Sequence, residues 1–160
     1  MTHVTLITDG ACVNNPGPGG WGFLIRYGET VMELSGCVPD TTNNRMELVA
    51  AIEGLKALKW SCAVFLISDS QYLIKGLDSW RIKWAQQDSL RGQPGCKASI
   101  PNADLWRQLD DLAGKHTITC QWVRAHTGNV DNERCDQLAE NAAEGLADKL
   151  GTVRRRPRHN

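Results

Sequence analysis

Apolar and polar positions along the chain repeat with two different periods, and the change from one to the other outlines the fold. Val4-Thr5-Leu6-Ile7-Thr8 is an apolar, β-branched run, which predicts a strand over roughly residues 3–9. Asn14 to Gly20 gathers prolines and glycines and reads as a turn. Trp21 to Tyr27 predicts a second strand and Thr30 to Cys37 a third, joined by the tight Gly28-Glu29 connection. Short links between all three predict antiparallel hairpins. The period then lengthens. Leu48, Ile52, Leu55 and Leu58 recur at helical spacing in a helix opened by Asn43 or Asn44 and running to about Lys59. Ala63 to Ile67 is nearly continuous in apolar residues and fits a strand buried on both faces. Ser68-Asp69-Ser70 ends that strand and starts a second helix with Tyr72, Leu73 and Leu77 inward, and Trp80 to Gln86 reads as another helical piece.

Periodicity disappears between Gln87 and Asn102, where Gly, Pro and Ser collect, as in a functional loop. It returns in a helix from Asp104 to Ala113, with Leu105, Leu109 and Leu112 inward. Thr117 to Val123 alternates as a last strand, Arg124 to Asn129 is a polar loop, and a final helix runs from about Asp131 to Leu150. Its expected apolar side is Cys135, Leu138, Ala142, Leu146 and Leu150. Hairpins followed by helical crossovers predict an α/β fold. Its five-stranded mixed sheet has three antiparallel strands, then parallel ones, with helices on its faces.

Length supports one domain of 160 residues. The formal net charge is zero, so overall charge gives no argument for a nucleic-acid partner. Charge is uneven, however. No acid follows Asp148, while Lys149, Arg154, Arg155, Arg156 and Arg158 do, so residues 149–160 read as a basic, flexible tail after a domain of residues 1–148. The six cysteines form no C-x-x-C pair. With no signal peptide they read as free thiols in a reducing, cytoplasmic compartment. No apolar run reaches the ~18 residues of a membrane span.

The chemistry centres on Asp9, an acid inside an apolar strand. A buried carboxylate needs a proton, a cationic partner or a metal. Three more acids could join it: Glu47 at the start of the first helix, Asp69 at the end of the fourth strand, and Asp136 in the final helix. Each has a plainer role available. Asp9-Gly10 is a common turn pair, Glu47 would complete a capping box with Asn44, Asp69 could cap the next helix, and Asp136 could be a solvated charge. Together, if the strands carrying Asp9 and Asp69 are parallel neighbours, they form a carboxylate set suited to magnesium or manganese, not zinc. Four carboxylates can hold two such ions about 3.5–4 Å apart for in-line attack on a phosphodiester. His126, in the polar loop, is placed to move a proton there.

At these residues the sequence resembles the bacterial type 1 ribonuclease H family. The matching stretches are Thr8-Asp9-Gly10-Ala11-Cys12 with Asn15-Pro16-Gly17-Pro18-Gly19-Gly20, then Thr41 to Leu48, then Ser68 to Tyr72. Trp122-Val123, His126, Gly128 and Asn132 to Asp136 complete them, in family order, up to about residue 148. The resemblance implies the ribonuclease H fold and endonucleolytic hydrolysis of the RNA strand of an RNA–DNA hybrid, leaving 5′-phosphate and 3′-hydroxyl ends. It implies that Asp9, Glu47, Asp69 and Asp136 hold two magnesium ions and that His126 assists proton transfer or product release. It also implies that Cys12, Asn15, Asn43, Asn44 and Gln71 line the hybrid's groove, that Thr42 meets a DNA phosphate, and that Trp80 and Trp84 lie along the DNA strand. Minor-groove and 2′-hydroxyl reading is the general mode for RNA helices. A monomer is implied as well.

Two departures carry expectations. The segment Ala85 to Arg91, lysine-rich in the family, is nearly neutral here, which predicts weaker hybrid binding with a shallow salt dependence. Asp40 stands where some relatives place a phosphate-binding arginine. Two other functions are open to the same fold. One is a different nuclease or strand-transfer enzyme, which would lack Cys12, Asn15 and the Asn43-Asn44-Arg45 set. The other is a non-catalytic hybrid-binding module, disfavoured by four intact carboxylates. The glycines at 17–22 are no P-loop, because no Gly-Lys-Ser/Thr follows them.

Overall fold

The expected five strands pair in the order β3-β2-β1-β4-β5 in a computed structural model that describes residues 1–86 and 100–155. The strands are β1 (Thr2–Cys12), β2 (Gly17–Tyr27), β3 (Thr30–Thr41), β4 (Cys62–Ser68) and β5 (Thr117–Trp122). β1, β2 and β3 are antiparallel; β4 runs parallel to β1, and β5 parallel to β4. The helices are α1 (Asn43–Lys56), α2 (Gln71–Lys75), α3 (Arg81–Gln86), α4 (Ala103–Ala113) and α5 (Val130–Leu150).

Alternation along β1 divides the core. Val4 and Leu6 face α1 in the main cluster, which adds Phe23, Leu48, Leu55, Leu66, Leu73 and the fully buried Trp106. Ile7 points the other way, to Leu24 and Cys135 beneath α5. Helices therefore cover both faces of the sheet, α1 one and α5 the other.

Several element boundaries differ from expectation. Residues 17–20 are not a turn. β2 begins at Gly17; Gly19 and Gly20 pair with Cys12 and Ala11 of β1, and on the other side the register with β3 shifts between Gly17 and Gly19, which accommodates Pro18. The bare backbone is needed there, since a Cβ on Gly20 would stand 2.1 Å from the Ala139 carbonyl oxygen of α5. The same close approach corrects the face of α5. Its buried stripe is Cys135, Ala139, Ala143 and Ala147, while Leu138, Ala142 and Leu146 flank it and Leu150 is exposed. Small side chains, not leucines, fit against a glycine strand.

α1 stops at Lys56, three residues short of the expected end. The second helix and the helical piece at Trp80 form one unbroken run, because a π-helical turn at Gly76–Trp80 joins α2 to α3. Residues 87–99, which hold most of the expected loop with Arg91 and Lys97, lie outside the described residues, as do 156–160. Five cysteines among the described residues are free thiols. No described helix is long and apolar enough to cross a membrane.

Candidate active site

β1 and β4 are parallel neighbours, so their carboxyl ends open on the same side of the sheet. Ile7 and Ile67 are partners in register; two residues beyond them stand Asp9 and Asp69. α1 is the crossover between β3 and β4, and its first turns lie over the end of β1. Thr42, in extended conformation, caps α1 and accepts from the Arg45 N–H at 3.2 Å. Glu47 therefore falls in the second turn, facing inward, and the capping box with Asn44 is not formed. Asp9 is 3 % exposed and Glu47 4 %.

Ligand oxygens of Asp9, Glu47 and Asp69 lie within 4.8 Å of one another. Asp136 of α5 lines the same cleft, together with Asn43, Asn44, Gln71 and Tyr72. The Gly10 N–H donates to Asp9 Oδ1 at 2.9 Å and also to Glu47 Oε1. One backbone group thus aims two carboxylates at the same space.

Burial and mutual repulsion keep these acids from ionising freely. Burial first, then the charge on Glu47, pushes the Asp9 carboxyl far above the ordinary range, with Asp69 adding to it. Glu47 is also raised by burial and by Asp69, against the lowering effect of the Gly10 N–H and Ser70. Asp69 is raised by burial and by the charge on Asp136, and the Asn132 side chain opposes that shift. Asp9 Oδ2 is buried with no hydrogen-bond donor among the described residues. No lysine or arginine lines this cleft among the described residues. Converging buried carboxylates, an unpaired oxygen and no compensating cation fit hard divalent cations such as magnesium.

The other expected site residues are distributed as follows. His126 is exposed beside the cleft-lining Ala125, in left-handed conformation with φ 57°, and its charge bears on Asp69 and on Glu140. Its backbone is strained for a non-glycine residue, a feature that gathers at functional loops. The Cys12 thiol turns inward to the Gly17 and Thr41 carbonyls, both at 3.4 Å. Asn15 accepts from the Asn43 N–H at 2.9 Å, tying the β1–β2 turn to the start of α1. Trp84 packs on the main core against Trp106, with ring centroids 5.2 Å apart. Trp80 is its outer neighbour at 5.8 Å. The two tryptophans extend one aromatic cluster and do not line the carboxylate cleft.

Asn132 and the Gly10 N–H were given no role by sequence reasoning. Asn132 lies four residues before Asp136, one helical turn along the same face, so the spacing carried the signal. A backbone donor leaves no side-chain signature at all.

Comparison with known proteins agrees with this geometry. The family model described as RNase H matches residues 1–144. A ribonuclease H of Pseudomonas putida (strain W619) is 50 % identical over 147 residues, covering 91 % of this chain and 97 % of its own. One from Hydrogenovibrio crunogenus is 49 % identical over 146 residues, covering 91 % of this chain and 99 % of its own. Among solved structures, LC9-RNase H1, described as a type 1 RNase H with the type 2 active-site motif, superposes with a TM-score of 0.79. It is 31 % identical and covers 91 % of this chain and 74 % of that one. The chain belongs to the ribonuclease H family.

Proposed function

We infer that this protein is an endoribonuclease that hydrolyses the RNA strand of RNA–DNA hybrids, leaving 5′-phosphate and 3′-hydroxyl ends. The observation that carries the reading is the convergence of Asp9, Glu47 and Asp69 in a cleft shared with Asp136, in a chain of this family. The four carboxylates are read as the ligands of two magnesium ions, with manganese as the substitute. When bound, the ions supply an activated water and neutralise charge on the phosphate and the departing 3′-oxygen. The Gly10 N–H holds Asp9 and Glu47 in their ligating orientation, and the Asn132 side chain favours the ionised form of Asp69.

Asn43, Asn44 and Gln71 offer amides at the rim of the cleft, suited to base edges and 2′-hydroxyls in a minor groove. Cys12, Asn15 and Thr42 are read as groove and phosphate contacts made partly through backbone that they position. Trp80 is read as the aromatic available to the DNA strand, with Trp84 supporting it from the core. His126 is read as the proton carrier. His126→Ala is expected to lower kcat roughly 10²-fold with little change in KM; an unchanged kcat at pH 7 would remove the histidine from the reaction. Residues 1–148 form the catalytic unit in this reading. The site is complete within one chain, which supports a monomer, and the free thiols agree with a cytoplasmic setting.

The test is a hybrid labelled separately on each strand, with duplex DNA and duplex RNA beside it, in magnesium and in EDTA. Cleavage of the RNA strand of the hybrid alone, with the stated ends and none in EDTA, is expected. Equal cleavage of duplex DNA would favour the other nucleases of this fold, and binding without cleavage the non-catalytic module.

A further inference from the structure

The basic C-terminal segment is tied to the active-site end of the molecule as far as the structure describes it. α5 ends in a reversed turn. Thr152 N donates to the Ala147 carbonyl at 2.9 Å and Gly151 N to the Asp148 carbonyl at 3.2 Å, with Gly151 left-handed. The chain then returns to the β1–β2 turn, where the side chain of Asn14 grips it at two points. Asn14 Nδ2 donates to the Val153 carbonyl at 2.8 Å, and Asn14 Oδ1 accepts from the Arg155 N–H at 2.7 Å.

This clamp brings Arg154 and Arg155 to the wall of a cavity of about 460 Å³ that shares Gly10, Asn43 and Asp136 with the carboxylate cleft. The two spaces therefore adjoin. Glu140 and Glu144 also face the cavity and would repel a nucleic-acid backbone. Arg154 is engaged with Asp148 at 3.2 Å. Arg155 makes no ion pair among the described residues and is exposed.

We propose that Arg155, positioned by Asn14, binds a backbone phosphate of the hybrid beside the carboxylate cleft. The proposal rests on the hybrid-cleaving reading above. Arg155 offers a planar guanidinium, whose geometry suits phosphate. The tail thereby supplies positive charge to an otherwise acidic wall, and Asn14 is a positioning residue that orders the segment before substrate arrives.

The experiment measures kcat, KM and hybrid affinity in EDTA across a salt series for the full chain and four variants. These are Arg155→Ala, Arg155→Lys, Asn14→Gly and, as a charge control at the opposite end of the sheet, Lys59→Ala. Glycine is chosen at 14 because that residue is left-handed, with φ 67°. Arg155→Ala is expected to raise KM and weaken binding about 3–10-fold, with kcat within about twofold, and to reduce the salt slope by about one. Asn14→Gly is expected to follow in the same direction, Arg155→Lys to retain the slope, and Lys59→Ala to match the parent. An Arg155→Ala protein with the parent's melting temperature, KM and slope overturns the proposal, and so does one that binds more tightly. A parent chain that neither binds nor cleaves hybrid overturns the underlying reading instead.

Discussion

Asp9→Asn is expected to lower kcat by roughly 10³-fold or more and at the same time to stabilise the metal-free protein. The loss follows from the role of Asp9, which offers a carboxylate oxygen within 4.8 Å of ligand oxygens of Glu47 and Asp69. The gain follows from the same burial. In the native protein the Asp9 carboxyl holds its proton well above the ordinary carboxylate range, because burial and then Glu47 oppose ionisation. Below the unfolded value of about 4, both states carry the proton and the residue has no pH-dependent cost. As pH rises past that value the unfolded chain releases its proton and the native protein keeps it. Native stability therefore falls with rising pH until the native value is reached. An amide has no proton to lose, so the variant lacks this slope. In EDTA the difference in melting temperature, variant minus parent, should grow between pH 5 and pH 8, at roughly 2–4 °C for each kcal/mol. Parallel curves, or a variant less stable throughout, would show that Asp9 is neither strained nor crowded by charge.

Gly10→Ala is expected to damage fold and site together. A Cβ at position 10 would lie 2.4 Å from the Met46 carbonyl carbon and 2.5 Å from the Glu47 nitrogen. These are backbone atoms of α1, with no flexible side chain to give way, so the helix itself must move off β1. Overpacking typically costs about 1–3 kcal/mol, and an immovable partner puts this case at the upper end. The displacement also carries Glu47 away from the Gly10 N–H that orients it. A melting temperature lowered by roughly 6–12 °C and a kcat reduced about 10²-fold are expected. Scanning calorimetry and hybrid cleavage at saturating magnesium measure the two effects. A stable variant with parental kcat would mean that α1 does not depend on contact at residue 10.

Sheet order and the convergence of the acids were legible in the sequence because they follow from topology. Hairpins before the helix and crossovers after it place Asp9 and Asp69 on neighbouring parallel strands, a placement that depends on the connections and not on side-chain detail. Glu47 was ambiguous because Asn44 is a good cap that would put it at the third helical position; the observed Thr42 cap places it two positions further in, in the second turn. Pattern reading failed where backbone approaches backbone. Glycines usually punctuate turns, so residues 17–20 gave no strand signal, and the alanines of α5 looked less apolar than the leucines beside them. Tertiary contact decided both, since Gly20 and Ala139 touch. The π-helical turn at Gly76–Trp80 has no periodic signature of its own, and the Gly10 N–H is invisible to any reading of side chains.

The central claim is that these four acids together hold two divalent ions. Its most direct test is anomalous diffraction from crystals soaked in manganese with a hybrid made non-cleavable at the scissile phosphate. Two anomalous peaks in the cleft among Asp9, Glu47, Asp69 and Asp136, absent from the Asp9→Asn protein, are expected. A cleft without peaks while the hybrid is bound, or peaks only at distant acids, would contradict the account.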